Sequence, residues 1–213
     1  MIRLWHCADA RSFRALWTLE ELGLPYELKL LPFPPRFRSP EYLEVNPLGT
    51  IPFLEDGATR MSESAAIAQY LATREGPTSL SLQPGEDGYG AWLNWLHFGE
   101  ATLTFPQTLV LRYRVLEPDR APQVADDYAR WFLSRLKGVD RALADRDWLV
   151  AGRFTAADIS VGYALLLARQ LKLHEQFPER VAAYWERLAA REGYRRARAA
   201  QKVDAADAPP FPA

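Results

Sequence analysis

Cysteine is almost missing from this chain of 213 residues: Cys7 stands alone. No disulfide can form within the chain, and a reducing setting, the cytoplasm, is expected. Histidine is nearly as scarce, and His6, His97 and His174 lack the spacing of metal ligands, so no metal is expected. An excess of one charge is lacking too. The 26 Lys and Arg nearly cancel the 27 Asp and Glu, which gives no electrostatic ground for binding nucleic acid or an anionic membrane. No apolar run approaches the length needed to span a bilayer, and Met1–His6 lacks the pattern of a secretion signal. Repeats and heptads are absent. What is present is 48% hydrophobic and 25% charged residues, the profile of a soluble globular chain with material for a core.

The first third reads as alternating short strands and helices. Ile2–His6 is a short apolar run, expected as a strand. Asp9 is placed to cap a helix carrying Ala15, Leu16, Leu19 and Leu22, with Gly23 as its stop. Tyr26–Leu31 alternates up to Pro32, and an irregular loop through Pro34, Pro35 and Pro40 leads to a short helix over Glu41–Val45. Ile51–Glu55 and Thr59–Met61 flank Asp56-Gly57, a hairpin signal. Ser62-Glu63-Ser64 opens a helix with Ile67, Tyr70 and Leu71 on one face. The order is βαβαββα, with parallel pairing across the first helix and an antiparallel hairpin at the end.

Past residue 75 the character changes. Gly76-Pro77 and 84–88 resemble a linker, and from Tyr89 onward only amphipathic helices are expected, over 89–115, 122–145, 155–173 and 178–200. The Ala/Pro-rich tail 204–213 is expected to be poorly ordered. The expected domains are 1–76 and an all-helical 86–203.

Four stretches carry a likeness to a known family: Arg11–Tyr26, Asn46–Leu54, Ser62–Leu71 and Phe154–Ile159. Together, in this order and spacing, they resemble the cytosolic glutathione transferase superfamily over nearly the whole chain. The resemblance implies an α/β thioredoxin-like N-terminal domain that holds glutathione as co-substrate, and a helical-bundle C-terminal domain. It implies Thr50, Ile51, Pro52, Glu63 and Ser64 as glutathione-binding residues. In the family the proline at position 52 follows a cis bond, and the backbone of the residue before it pairs with the ligand as an added strand.

The residues give each element its own reason. A strand-opening proline is ordinary at Pro52. Glu63 and Ser64 sit at a helix N-terminus, where N–H groups and the helix dipole favour a carboxylate. Ser64 could donate to that carboxylate and Glu63 accept from an ammonium, the two ends of a γ-glutamyl group. Plain capping by Ser62 or Ser64 is the alternative. Thr155 and Asp158 have capping-box spacing and Phe154 and Ile159 that of a hydrophobic staple, so this motif supports folding and lies outside the site.

Catalysis requires the glutathione thiol as thiolate, a few per cent ionised in water at neutral pH for a pKa of about 8.5. Ala10 stands where many related sequences place a serine. Ser12 is therefore the first catalytic candidate and Arg11 the second, with backbone amides of the first helix beside them. Cys7, outside any C-x-x-C pair, reads as a packed hydrophobe rather than a redox centre. An acceptor pocket between the domains is expected to be lined by Phe98, Thr104 and Tyr113 and to suit a hydrophobic electrophile. The resemblance also implies a homodimer. Two other functions compete with conjugation: a non-catalytic binding or assembly protein of this fold, and a glutathione-dependent peroxidase or reductase.

Overall fold

The computed structural model describes residues 1–202; residue 203 and the expectation for the tail 204–213 lie outside the described residues. The chain divides into two compact units, Met1–Gly76 together with 190–202, and Pro77–Ala189. The first is discontinuous, so the helical half expected to run to 203 gives up its last helix to the N-terminal fold.

The first unit has the expected βαβαββα order. β1 (Ile2–His6), β2 (Tyr26–Leu30), β3 (Phe53–Asp56) and β4 (Thr59–Met61) form one sheet in the order β2-β1-β3-β4. β1 and β2 are parallel across α1 (Phe13–Leu22), and β3 pairs antiparallel with both β1 and β4, as a hairpin at Asp56-Gly57 requires. Gly57 takes φ 58° in that turn, a conformation other residues adopt at a cost. β1 buries every second side chain, Ile2, Leu4 and His6, while Trp5 on the opposite face meets Tyr42 at 5.4 Å between ring centroids. The expected irregular loop after β2 contains one short helical turn, α2 (Pro35–Arg38), with Pro35 at its first position, where a missing N–H is harmless. The helix expected at 41–45 is a tighter turn over Pro40–Glu44. α3 (Ser64–Thr73) packs beside α1.

Asp9 does not cap α1. That helix begins four residues later, with Ser12 as its cap residue. Seven consecutive residues of α1, Phe13 to Leu19, are buried, as expected of a helix covered on every side. The cover beyond α3 and the sheet is α9 (Glu192–Ala200). Tyr194 meets Trp17 edge-on at 5.1 Å and Phe13 at 5.6 Å, and Arg191 grips Glu21 with two bonds of 2.8 Å.

In the second unit, α4 (Tyr89–His97) and α5 (Phe105–Leu111) are joined and extended by wider turns over 98–104 and 112–116, giving one continuous helical rod. Phe105 N–H reaches back five residues to Glu100 C=O. Pro106 has no N–H and its ring crowds the carbonyl four residues earlier, and a widened turn just before it relieves both. α6 (Pro122–Ala142), α7 (Ala156–Gln170) and α8 (Glu179–Ala189) complete the bundle. α7 is buried along 156–168 and approaches the rod so closely that a Cβ on Gly99 would meet Ser160 Oγ at 2.4 Å. Thr155 Oγ1 accepts from Ala157 N–H, and Asp158 accepts from Thr155 N–H at 2.8 Å. Asp158 also takes Leu149 N–H and the Tyr184 hydroxyl, so this residue pins three segments of the core.

Candidate functional site

Three segments of the first unit meet at one end of its sheet. Trp5 lies opposite Phe53, and Leu54 opposite Met61. These are the last pairs of their ladders, so the chain after β1, the chain before β3 and the chain after β4 all leave the sheet at the C-terminal end of β1. The segments are the turn 7–12 into α1, the loop 46–52 into β3, and the start of α3.

At the start of α3 no side chain caps the helix: Glu63 is the cap residue, with φ −89° and ψ 114°, and its side chain makes no capping bond. Capping by Ser62 or Ser64 is thereby ruled out, and the first-turn amides keep their capacity for an anion. The Glu63 carboxylate is exposed and has no hydrogen-bond or ion-pair partner among the described residues. Ser64 is buried, and its Oγ accepts a bond of 3.0 Å from Arg14 Nη1. With that lone pair occupied, its hydroxyl proton remains to be donated. Arg14 itself is fully buried in α1, a guanidinium placed beneath the helix start. Sequence reading missed it because its position falls within a run otherwise expected as core.

The loop 46–52 is held from within. Asn46 Oδ1 accepts Leu48 N–H, Asn46 Nδ2 donates to the Thr50 carbonyl at 2.8 Å, and the Tyr42 hydroxyl donates to the same carbonyl at 2.7 Å. Gly49 has φ 59°, and a Cβ there would press on Arg36 Cβ at 2.7 Å. Thr50 is exposed, with its carbonyl already taken. The Ile51–Pro52 peptide is cis, as the resemblance implied. Ile51 is half-buried and its N–H and C=O find no backbone partner among the described residues. The edge there is open to an extended peptide. Tyr42 and Asn46 support this loop, yet only the asparagine's turn-forming habit could have signalled it in the sequence.

In the turn 7–12 the geometry runs against the first catalytic candidate. Ser12 is fully buried, its Oγ accepting from Cys7 N–H at 3.3 Å and donating to Cys7 C=O at 3.4 Å. That hydroxyl is committed to closing the turn and has no free face for a sulfur. Arg11 is half-buried at the mouth of α1. Cys7 is buried, its Sγ donating toward Pro32 C=O at 3.7 Å, and burial pushes its pKa up to about 12. A thiol held neutral is neither nucleophile nor redox centre at physiological pH, in line with the reading of Cys7 as packing.

The three residues expected to line an acceptor pocket do not converge. Thr104 is in the core, its hydroxyl donating to Gly99 C=O at 2.7 Å. Phe98 stacks edge-on against Trp95 and lines a shallow depression of about 380 Å³ with Leu93, Asn94, His97, Ala101 and Thr102. Tyr113 lies fifteen residues further along the same rod, about 22 Å away at 1.5 Å per residue. Among the described residues no group of acidic, histidine and cysteine side chains is arranged to hold a metal, and no helix is long and apolar enough to cross a membrane.

Residues 10–74 match the family model described as glutathione S-transferase, N-terminal domain. Among curated relatives, glutathione S-transferase 4 of Zea mays is 31% identical, covering 84% of this chain and 82% of its own. Glutathione S-transferase 3 of Schizosaccharomyces pombe is 29% identical over 88% of this chain and 82% of its own. A glutathione transferase of Phanerochaete chrysosporium, solved in complex with oxidized glutathione, superposes with TM-score 0.82 at 28% identity, covering 94% of this chain and 97% of that one.

Proposed function

Because the chain belongs to the glutathione S-transferase family, we propose that it binds glutathione in its first unit and joins the tripeptide's sulfur to an electrophilic carbon of an apolar small molecule. The observation that carries this reading is the start of α3. It combines uncapped amides, a Ser64 hydroxyl whose proton is left to donate, a buried Arg14 beneath it and an unpartnered Glu63 carboxylate. An α-amino-acid head group has one carboxylate and one ammonium, and this set offers donors to the first and an acceptor to the second. Ile51 presents an open backbone edge beside it for the rest of the peptide, with Thr50 and Pro52 shaping that edge.

Arg11 is assigned to the sulfur, because a positive charge stabilises the thiolate over the thiol. The Phe13 and Arg14 amides that open α1 already donate to the Ala10 and Arg11 carbonyls. The thiol proton passes to solvent, the sulfur lone pair forms the C–S bond, and the leaving group departs with its bonding pair, as chloride does from an activated aryl chloride. Of the three acceptor candidates Phe98 is retained, since it borders a depression of about 380 Å³. The large exposed apolar side chains Phe37 and Leu48 in the first unit and Phe105 and Trp131 in the second support a two-fold homodimer.

Steady-state conjugation of glutathione to an activated aryl chloride tests the chemistry. Arg11→Ala should lower kcat about tenfold or more at neutral pH and recover part of the loss as pH rises, while Ser12→Ala stays within about threefold of the parent. If Ser12→Ala abolishes turnover, the hydroxyl is the activating group after all. Absence of turnover by the parent with aryl chlorides and epoxides alike would sink the conjugation reading.

A further inference from the structure

The end of α9 closes on the turn 7–12. Asp9 in that turn has φ 56°, a left-handed conformation that aspartate adopts more readily than most residues with a Cβ and that its surroundings here enforce. The enforcing groups come from the far end of the sequence. The Asp9 carboxylate receives the Arg198 guanidinium and the Gln201 side-chain amide, both charge-assisted bonds. Gln201 Oε1 accepts the Asp9 backbone N–H at 3.1 Å and faces His6 Nε2 at 3.0 Å. His6 is neutral, since burial pushes its pKa down to about 4, so its Nε2 is the donor in that pair. Gln201 is buried and thus ties both the last residue of β1 and the left-handed residue of the turn to α9.

We propose that Arg198 and Gln201 are positioning residues, which hold the turn 7–12 in the geometry that brings Arg11 to the glutathione sulfur. The proposal rests on the glutathione reading above and extends it to a part of the chain that no motif marks. The clamp acts on the sulfur end alone, because the start of α3 is supported separately by the bond from Arg14 to Ser64. α9 does not depend on the clamp for its docking, which Tyr194 on Trp17 and Arg191 on Glu21 supply.

The test uses the full chain with Arg198→Ala/Gln201→Ala, and separately with Asp9→Gly, which accepts the backbone conformation while deleting the carboxylate. Calorimetry with S-methylglutathione reads affinity without the thiol, and the pH titration of thiolate absorbance reads the pKa of bound glutathione. Both variants should bind S-methylglutathione within twofold of the parent, raise the bound thiol's pKa by about one unit, and lower kcat about tenfold at a pH near 6.5 with KM little changed. Arg198→Lys, which keeps the charge, should restore part of kcat. Unchanged kcat and thiol pKa in both variants would overturn the proposal. So would equal losses of affinity and kcat accompanied by a fall in Tm, which mark a merely structural role. A parent protein that fails to bind S-methylglutathione would instead remove the glutathione reading, and this inference with it.

Discussion

Arg14 and Ser64 show how a buried charge can set the chemistry of a buried hydroxyl at a helix start. The guanidinium is withdrawn from water, so its field at the start of α3 is little screened, and its bond fixes the serine rotamer. Arg14→Met should keep the packing stem, remove the charge, and weaken glutathione binding at least tenfold with a smaller loss of stability; calorimetry and thermal unfolding read the two separately. His6 makes a prediction about pH. Its pKa falls from 6.5 when unfolded to about 4 when folded, because burial disfavours the charged ring. The unfolded chain therefore binds more protons between these values, and stability is present above pH 6.5 and lost as pH falls through that window. The loss through this group should be about 2 kcal/mol by pH 5 and about 3 kcal/mol by pH 4. Urea unfolding of the parent and of His6→Gln across this range should give the variant the shallower dependence.

At the scale of elements, stability concentrates where one polar residue joins several segments. Asp158 accepts hydrogen bonds from Thr155, Leu149 and Tyr184 while fully buried, and burial, the largest influence, raises its pKa against their pull. Asp158→Ala leaves those donors unsatisfied and should cost about 3 kcal/mol or more, a Tm lower by roughly 6–12 °C. Asp158→Asn should cost less, since it keeps the shape and one of the two acceptor oxygens. This motif was legible in the sequence because a capping box is local, all of its bonds spanning a few residues. The hairpin at Asp56-Gly57 and the stop at Gly23 were legible for the same reason. The break between α8 and α9 was not: no proline or turn cluster marks 190–191, and the extended backbone of Arg191 is set by its pairing with Glu21, 170 residues away. Ser12 yields to Arg11 in the proposed function for a related reason. Sequence places a hydroxyl at the mouth of α1, but only the closed turn shows that Cys7's backbone takes it.

For the molecule as a whole, the backbone features of the proposed glutathione site were legible, namely the cis bond before Pro52 and the helix start at Glu63 and Ser64, while the disposition of the proposed acceptor residues was not. Ile51, Pro52, Glu63 and Ser64 are read from backbone-directed motifs, whose geometry their own local sequence sets. Phe98, Thr104 and Tyr113 share a helix, and helical spacing alone does not reveal which of them faces the core. The proposed homodimer predicts a sedimentation mass of twice the 24.2 kDa chain, reduced to one chain by Phe37→Glu if that exposed ring lies in the interface; a parent that sediments as a single chain would contradict it. The central claim is the glutathione site on the first unit, and calorimetric titration of glutathione into the parent and into Glu63→Ala/Ser64→Ala tests it most directly. The account predicts one site per chain in the parent and at least a hundredfold weaker binding, about 2.7 kcal/mol, in the double variant. No heat of binding in the parent, or equal affinity in both proteins, would contradict it.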